Sequence, residues 1–347
     1  MKRIAVLTSG GDSPGMNAAV MEVARFAAKA GMPLIGIKRG YNGLIGKFKP
    51  EDSYTHMAMD TLLDIADLPG TYLRTARCEE FFLPEYQVKA VKFLRELDVA
   101  GLVVIGGDGS YRGAQRLCEL GMPCIGIPGT IDNDLEYSET SLGFDTAVNV
   151  CMDAVRAIRA TSRSHDRPAI VEVMGRNCGD IAMSTAMSTG SEIVVVPEVK
   201  NWKVDDVARR LDSLVKRGNS RATIVIAEGA FQTMKPFDLY GYLKDFTQVF
   251  DGEKMTSRRL AHILKYKVGV EVRATVIGYT QRGHEPTAQD ASFAFESGSM
   301  AVELLKNGIG NEVIGLRRGR MFHMPIEKAL KIKPRFKQHI YELINTL

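Results

Sequence analysis

Residues 102–114 read LVVIGGDGSYRGA, and their order decides the fold: an unbroken apolar run, glycines 106, 107 and 109 around Asp108, then Ser110 opening a helical pattern that reaches Leu120. A strand with one wet face alternates apolar and polar residues, so an unbroken run bounded by glycine is expected to be buried on both faces, as in a parallel sheet. The same grammar recurs in IAVLTS from Ile4, PLIGIK from Pro33, CIGIPG from Cys124, AIVEVMG from Ala169, EIVVVPE from Glu192, ATIVIAEG from Ala222 and VRATVIGY from Val272. Helical patterns lie between them at 16–30, 84–97, 140–161 and 204–216. Strand and helix in alternation predict an α/β protein whose mostly parallel sheets are wrapped by helices. A length of 347 residues is enough for two such domains, each a three-layer α/β/α sandwich. No linker or internal repeat marks a boundary near residue 140.

Composition narrows the class. Forty-five Lys and Arg against 41 Asp and Glu leave +4, an excess read as small and dispersed, so neither a nucleic-acid surface nor a basic tail is expected. Cys78, Cys118, Cys124, Cys151 and Cys178 have no C-x-x-C spacing and no histidines at metal spacing; they predict reduced thiols, without disulfide or structural zinc. The apolar run after Met1 breaks at Thr8, and no run approaches the ~20 residues a membrane span needs. The expected location is the cytoplasm, with no membrane partner.

In parallel sheets ligands bind at the carboxyl ends of strands, so the loops there carry the functional reading. After the first strand comes TSGGDSPGMNAAV, in which Gly10, Gly11 and Gly15 permit a sharp turn and a helix start; its amides suit a phosphate, though without the GK[ST] of a Walker loop, and a tight turn without ligand is the plainer alternative. Asp108 amid glycines is either an N-cap or a single carboxylate for Mg²⁺, which keeps most of its waters beside nucleotide phosphates. PGTIDND, after the strand from Cys124, offers Asp132 and Asp134 as an Asx turn or as a base for a phosphoryl acceptor. Three such loops on one predicted sheet point jointly to phosphoryl transfer. The arginines to stabilise the transferred group are drawn from Arg77, Arg167, Arg176, Arg273 and Arg282.

Taken in order, LTSGGDSPGMNAA, GTYLRTAR, VVIGGDGSYRGA, GIPGTIDND, SHDR, VEVMGRNCGD, VVVPE, AEG and RATVIGYTQRG resemble the ATP-dependent 6-phosphofructokinase family, from residue 1 to about 310. The resemblance implies residues 1–140 plus roughly 283–335 as an ATP-binding domain. Residues 141–282 plus the C-terminal helix would bind sugar phosphate and effector, with the active site in the cleft between the two. It implies Gly11, Arg77, Cys78, Gly107, Asp108, Gly109 and Ser110 around ATP, with Asp108 on Mg²⁺. Asp132 becomes the base for the 1-hydroxyl of fructose 6-phosphate, Asp134 orients the site, and Arg77, Arg176 and Thr130 assist catalysis. Thr130, Met174, Gly175, Arg176, Glu228 and Arg282 would line the sugar site, while Arg167 and Arg273 would reach the 6-phosphate from a neighbouring subunit of a homotetramer. Glycine at 109 and 129, where pyrophosphate-using relatives carry Asp and Lys, implies ATP as donor.

The chain departs from the family pattern at several positions. Tyr279 stands where a histidine usually contacts the 6-phosphate, His284 and Arg74 replace glycines, and Met21 replaces an arginine of the effector site, whereas Arg25, Arg159 and Glu192 are kept. The stretch from Glu228 to Arg273 is longer than in short bacterial relatives and is expected to hold an extra amphipathic helical element in FQTMKPFDLYGYLKDF and MTSRRLAHILKYK. These departures keep open a regulatory paralogue or a kinase for a related ketose phosphate. An NAD or lipid kinase would lack PGTIDND and VEVMGR together. A nicotinamide dehydrogenase would need G-x-G-x-x-G and an acidic residue after the second strand, both missing here.

Overall fold

The computed structural model describes residues 2–235 and 254–346. Contacts divide the chain into two units, residues 1–147 with 282–335, and residues 148–281 with 336–347. The division falls inside the helix Phe144–His165, which explains why no linker composition announces it.

The first unit is built on a seven-stranded sheet. Its strands are β1 (Arg3–Thr8), β2 (Leu34–Ile37), β3 (Tyr54–His56), β4 (Val99–Gly106), β5 (Cys124–Pro128), β10 (Glu312–Arg317) and β11 (Arg320–Pro325). The order is β11-β10-β5-β4-β1-β2-β3, parallel except for the two edges, β3 and β11. Alternate residues feed the two faces: Ile4, Val6, Val103 and Ile105 join one buried cluster, Ala5, Leu7, Leu102 and Val104 the other. Both clusters are dry, so each strand must be apolar throughout, and that is why the runs do not alternate. The chain leaves β1 toward β2 on one side and returns to β4 on the other. The loops after β1 and β4 therefore lie side by side where the winding reverses.

The second unit holds β6 (Ala169–Val173), β7 (Ile193–Val195), β8 (Thr223–Ala227) and β9 (Arg273–Val276), all parallel, in the order β7-β8-β6-β9. β9 corrects the expectation of burial: Arg273, Thr275 and Val276 are exposed on this edge strand. Of the extra element expected between Glu228 and Arg273, the second half forms the helix Ser257–Val268, capped by Thr256, whose hydroxyl accepts from the Arg259 amide; residues 236–246 lie outside the described residues.

β3 and the β10–β11 hairpin are findings the sequence reading did not contain. The hairpin turns through Arg318 and Gly319 at φ 53° and 69°, a tight turn of the kind that matches strand twist. It also corrects the view of charge as dispersed, since residues 317–337 carry eight Lys and Arg against one Glu.

Candidate active site

In the first unit the ends of β1, β4 and β5 are tied into one loop cluster. The Ser9 amide donates to Ile105 O (2.9 Å), the Ser110 hydroxyl to Ser9 O (3.2 Å), and the Gly129 amide to Gly106 O (3.0 Å). Asp108 and Asp132 thus leave the same ends of adjacent strands, two and four residues beyond β4 and β5. Asp108 is not an N-cap. Gly107 holds that position without a side-chain bond, and Asp108 is the first residue of the helix Asp108–Glu119. Its half-exposed carboxylate takes the Arg112 guanidinium at 3.1 and 3.3 Å, one turn on.

Among the described residues no three His, Cys, Asp or Glu cluster as a metal cage. An exposed i,i+4 ion pair is worth only about 0.5 kcal/mol, so Arg112 is a weak competitor for Asp108. Asp132 is 5 % exposed, with its amide donating to the Thr130 hydroxyl oxygen at 3.2 Å; Asp134 and Asn133 are half-buried beside it.

In the turn after β1, which suits either a phosphate or a tight turn without ligand, Ser13 to Met16 are buried, and only Gly10, Gly11 and Asp12 reach the surface. The open helix N-terminus is that of Asp108–Glu119, where Gly107 is half-buried and Gly109 exposed. Backbone N–H groups there favour an anion.

The Arg77 loop is held by its main chain, which leaves the side chain free to work. Arg77 O accepts from Asn42 Nδ2 (3.0 Å), Arg74 O from the Thr8 hydroxyl (3.0 Å), and Gly10 O from the Thr75 hydroxyl (2.9 Å). Arg77 itself is exposed. Cys78 lies near the Lys47–Glu80 ion pair, and burial raises its thiol pKa. Arg282, expected at the sugar site, lies in this unit, where its guanidinium donates to Asp12 O and touches the face of Gly11.

In the second unit Met174, Gly175, Arg176, Glu228 and Tyr279 gather at the carboxyl ends of β6, β8 and β9. The Arg176 amide donates to the Glu228 carboxylate at 3.1 Å, with Arg176 at φ 50°. Gly229 makes this possible, since a Cβ there would lie 1.7 Å from Arg176 O. Sequence reasoning missed Gln281, fully buried, whose Oε1 accepts from the Met174 amide (3.1 Å) and whose Nε2 donates to Gly278 O (2.9 Å). It ties the β6 loop to the β9 loop, and only its place inside YTQRG marks it. Tyr279 is 82 % exposed.

Arg167 and Arg273 stand apart from that group. Ala169 is in register with Arg273, so both arginines lie at the amino ends of β6 and β9, sharing Glu271 as ion-pair partner. At about 3.3 Å per residue, the seven residues from Arg167 to Met174 separate them by roughly 23 Å. Within one chain they do not serve the same site.

A cavity of about 270 Å³ in this unit is lined by Arg159, Arg163, Gly190, Glu192, Asn219 and Arg221. Arg159 is fixed by Thr223 Oγ1 (3.0 Å), Gly190 O (2.8 Å) and Glu192 (3.5 Å), while Glu192 also accepts from Asn219 Nδ2 (2.7 Å). Three guanidinium groups against one carboxylate give its lining an excess of positive charge. In the first unit Arg25 pairs with Glu22 (3.4 Å) and contacts Met21 Sδ at the same distance.

The comparisons agree with this arrangement. The profile described as Phosphofructokinase matches residues 3–305. Proteins named ATP-dependent 6-phosphofructokinase from Alkaliphilus metalliredigens and Clostridioides difficile are each 44 % identical over 347 residues, covering 100 % of this chain and 99 % of theirs. The solved phosphofructokinase of Saccharomyces cerevisiae superposes with a TM-score of 0.80 at 29 % identity over 95 % of this chain, which spans only 45 % of the yeast chain. The pyrophosphate-dependent phosphofructokinase of Marinobacter aquaeolei, at 20 % identity and a TM-score of 0.81, covering 98 % of this chain and 86 % of its own, shares the fold. With the family profile matched over nearly the whole length and relatives 44 % identical from end to end, this chain belongs to the phosphofructokinase family.

Proposed function

We propose that this protein transfers the γ-phosphoryl group of ATP to the 1-hydroxyl of fructose 6-phosphate, giving fructose 1,6-bisphosphate and ADP. The observation that carries the reading is the shared origin of Asp108 and Asp132 at the same ends of β4 and β5, linked by the Gly129–Gly106 hydrogen bond. Mg²⁺, when bound through Asp108, offsets the charge of the triphosphate. The open N-terminus of the helix Asp108–Glu119 supplies N–H donors to the same phosphates. Asp132 accepts the proton of the 1-hydroxyl as that oxygen attacks phosphorus. Its burial keeps bulk water from competing for the carboxylate. Arg77 and Arg176 stabilise the charge spread over the transferred group, and Thr130 and Asp134 orient the acceptor.

The donor is read as ATP. Nothing lies within 4 Å of a Cβ at Gly109, so a side chain there would project into the space a nucleotide needs. Gly129 says less, because a Cβ would already meet Ile105 Cγ2 at 2.9 Å, so packing alone calls for glycine.

The placement of Arg167 and Arg273 supports a 6-phosphate site completed by a second copy of the chain, as in a homotetramer. The arginine-lined cavity supports an anionic effector, such as a nucleotide or a phosphate ester. Among the described residues no helix is long and apolar enough to cross a membrane.

Purified protein given ATP, Mg²⁺ and fructose 6-phosphate is expected to form fructose 1,6-bisphosphate and ADP one for one. Replacing the sugar by other hexose phosphates, or ATP by pyrophosphate, should remove most of the turnover. A preference for pyrophosphate or for another sugar would refute the corresponding half of the proposal.

A further inference from the structure

Asp290 is a carboxylate that phosphoryl transfer, as described, does not use, yet it is 1 % exposed in the first unit. It occupies the third position of the helix Ala288–Lys306, after the cap Thr287, whose hydroxyl accepts from the Asp290 amide. An acidic residue there usually folds back onto its own cap. Here the carboxylate crosses to the start of another helix, Phe144–His165, accepting from the Gly143 amide (2.9 Å), the Thr146 amide (2.9 Å) and the Thr146 hydroxyl (2.5 Å). The start of a third helix, Met16–Lys29, also abuts it: a Cβ on Gly15 would lie 3.7 Å from Asp290 Cβ.

The N-terminus of the helix Phe144–His165, with its partial positive charge, therefore faces one buried carboxylate, and the starts of the other two helices pack beside it. Two further bonds lace the two helix starts together. Thr287 N donates to Thr146 Oγ1 (3.0 Å) and Thr287 Oγ1 to Asp145 (2.6 Å).

The turn so fixed, Ser141–Leu142–Gly143, underlies both halves of the transfer chemistry in this unit. Ser141 Oγ donates to Thr130 O (2.6 Å) and the Leu142 amide to Pro128 O (2.9 Å), which set the loop bearing Asp132. Ser13 Oγ donates to Leu142 O, and a Cβ on Gly143 would lie 2.0 Å from Ser13 Oγ, so the same turn backs the loop bearing Gly11.

We propose that Asp290 is a positioning residue for phosphoryl transfer: by accepting from Gly143 and Thr146 it fixes the 141–143 turn, and through Ser141 it holds the Thr130–Asp132 loop in reacting register with the loop after β1. The inference rests on the reading of Asp132 as the base. Displacements near 1 Å at a reacting group cost about a hundredfold in rate, so a positioning role is legible in kcat.

Asp290→Asn keeps the shape but turns an amide toward the Gly143 and Thr146 donors. Its kcat with ATP and fructose 6-phosphate is expected to fall about tenfold or more, with KM for ATP changed by less than about threefold. Ser141→Ala, which spares the helix starts, should show a smaller loss of the same kind, and the double variant should lose little more than Asp290→Asn alone. A folded Asp290→Asn protein with wild-type kcat, or losses that multiply in the double variant, would overturn the proposal. If Asp290→Asn does not fold, Ser141→Ala and Thr146→Val decide the matter, and unchanged kcat in both refutes it. Glu327→Gln, in an exposed pair with Lys331, serves as the control that keeps wild-type rates. Wild-type protein inactive on fructose 6-phosphate would instead refute the functional reading itself.

Discussion

Gly109 and Gly229 are both glycines beside the site, but for opposite reasons. Gly109 meets nothing of its own chain and sits at the second position of a helix, so Gly109→Ala is expected to raise stability by about 0.5 kcal/mol while raising KM for ATP. Thermal unfolding together with initial rates would read both effects. At Gly229 an added Cβ strikes the Arg176 carbonyl, a backbone atom with nowhere to move. Gly229→Ala should cost about 1–3 kcal/mol and raise KM for fructose 6-phosphate, because the Arg176–Glu228 geometry shifts. Arg74 shows the reverse case, a side chain at φ 60° where the family pattern has glycine, at a cost of about 1–2 kcal/mol. At this scale the sequence offered Asp108, Asp132, Arg77 and Glu228 as candidates, because carboxylates, arginines and glycines beside strand ends are rarely needed for packing alone. It did not expose Gln281, Ser141 or Asp290, whose roles consist of hydrogen bonds to backbone atoms up to 150 residues away in the chain, and no local pattern encodes such a partner.

Among the elements, every strand read from an apolar run is present; where both faces are dry, as in β1, β4, β5 and β8, only one residue class fits, whereas β9 is present as an exposed edge. The strands that escaped notice, β3 and the β10–β11 hairpin, are edge or near-edge strands with exposed polar residues, where two-sided burial no longer writes the signal. The edge of the second sheet is closed in an unusual way. Asn345, next to the helix Gln338–Ile344, accepts from the Val194 amide and donates to the Val194 carbonyl, both at 3.2 Å, as a neighbouring strand would. Its side chain blocks an edge on which another chain could pair. Asn345→Ala should lower the stability of the second unit by about 1–2 kcal/mol in urea unfolding. Asn345→Asp should be no better, because a carboxylate cannot donate to the carbonyl; wild-type stability in Asn345→Asp would contradict this account of the edge.

At the scale of the whole molecule, the strand direction of the second sheet makes the assembly testable. Arg167 and Arg273 sit at the opposite end of β6 and β9 from Met174 and Arg176. If a neighbouring copy supplies the arginines, refolding Arg273→Ser with Asp132→Asn protein should restore activity that neither variant has alone, whereas inactive mixed oligomers would contradict shared sites. The central claim is narrower, namely that Asp132 removes the proton from the sugar alcohol while Asp108 serves the nucleotide. Steady-state turnover of Asp132→Asn with ATP, Mg²⁺ and fructose 6-phosphate tests it most directly. The account predicts a kcat lowered by about 10²–10⁴ with KM for ATP nearly unchanged; turnover close to that of the wild type would contradict it.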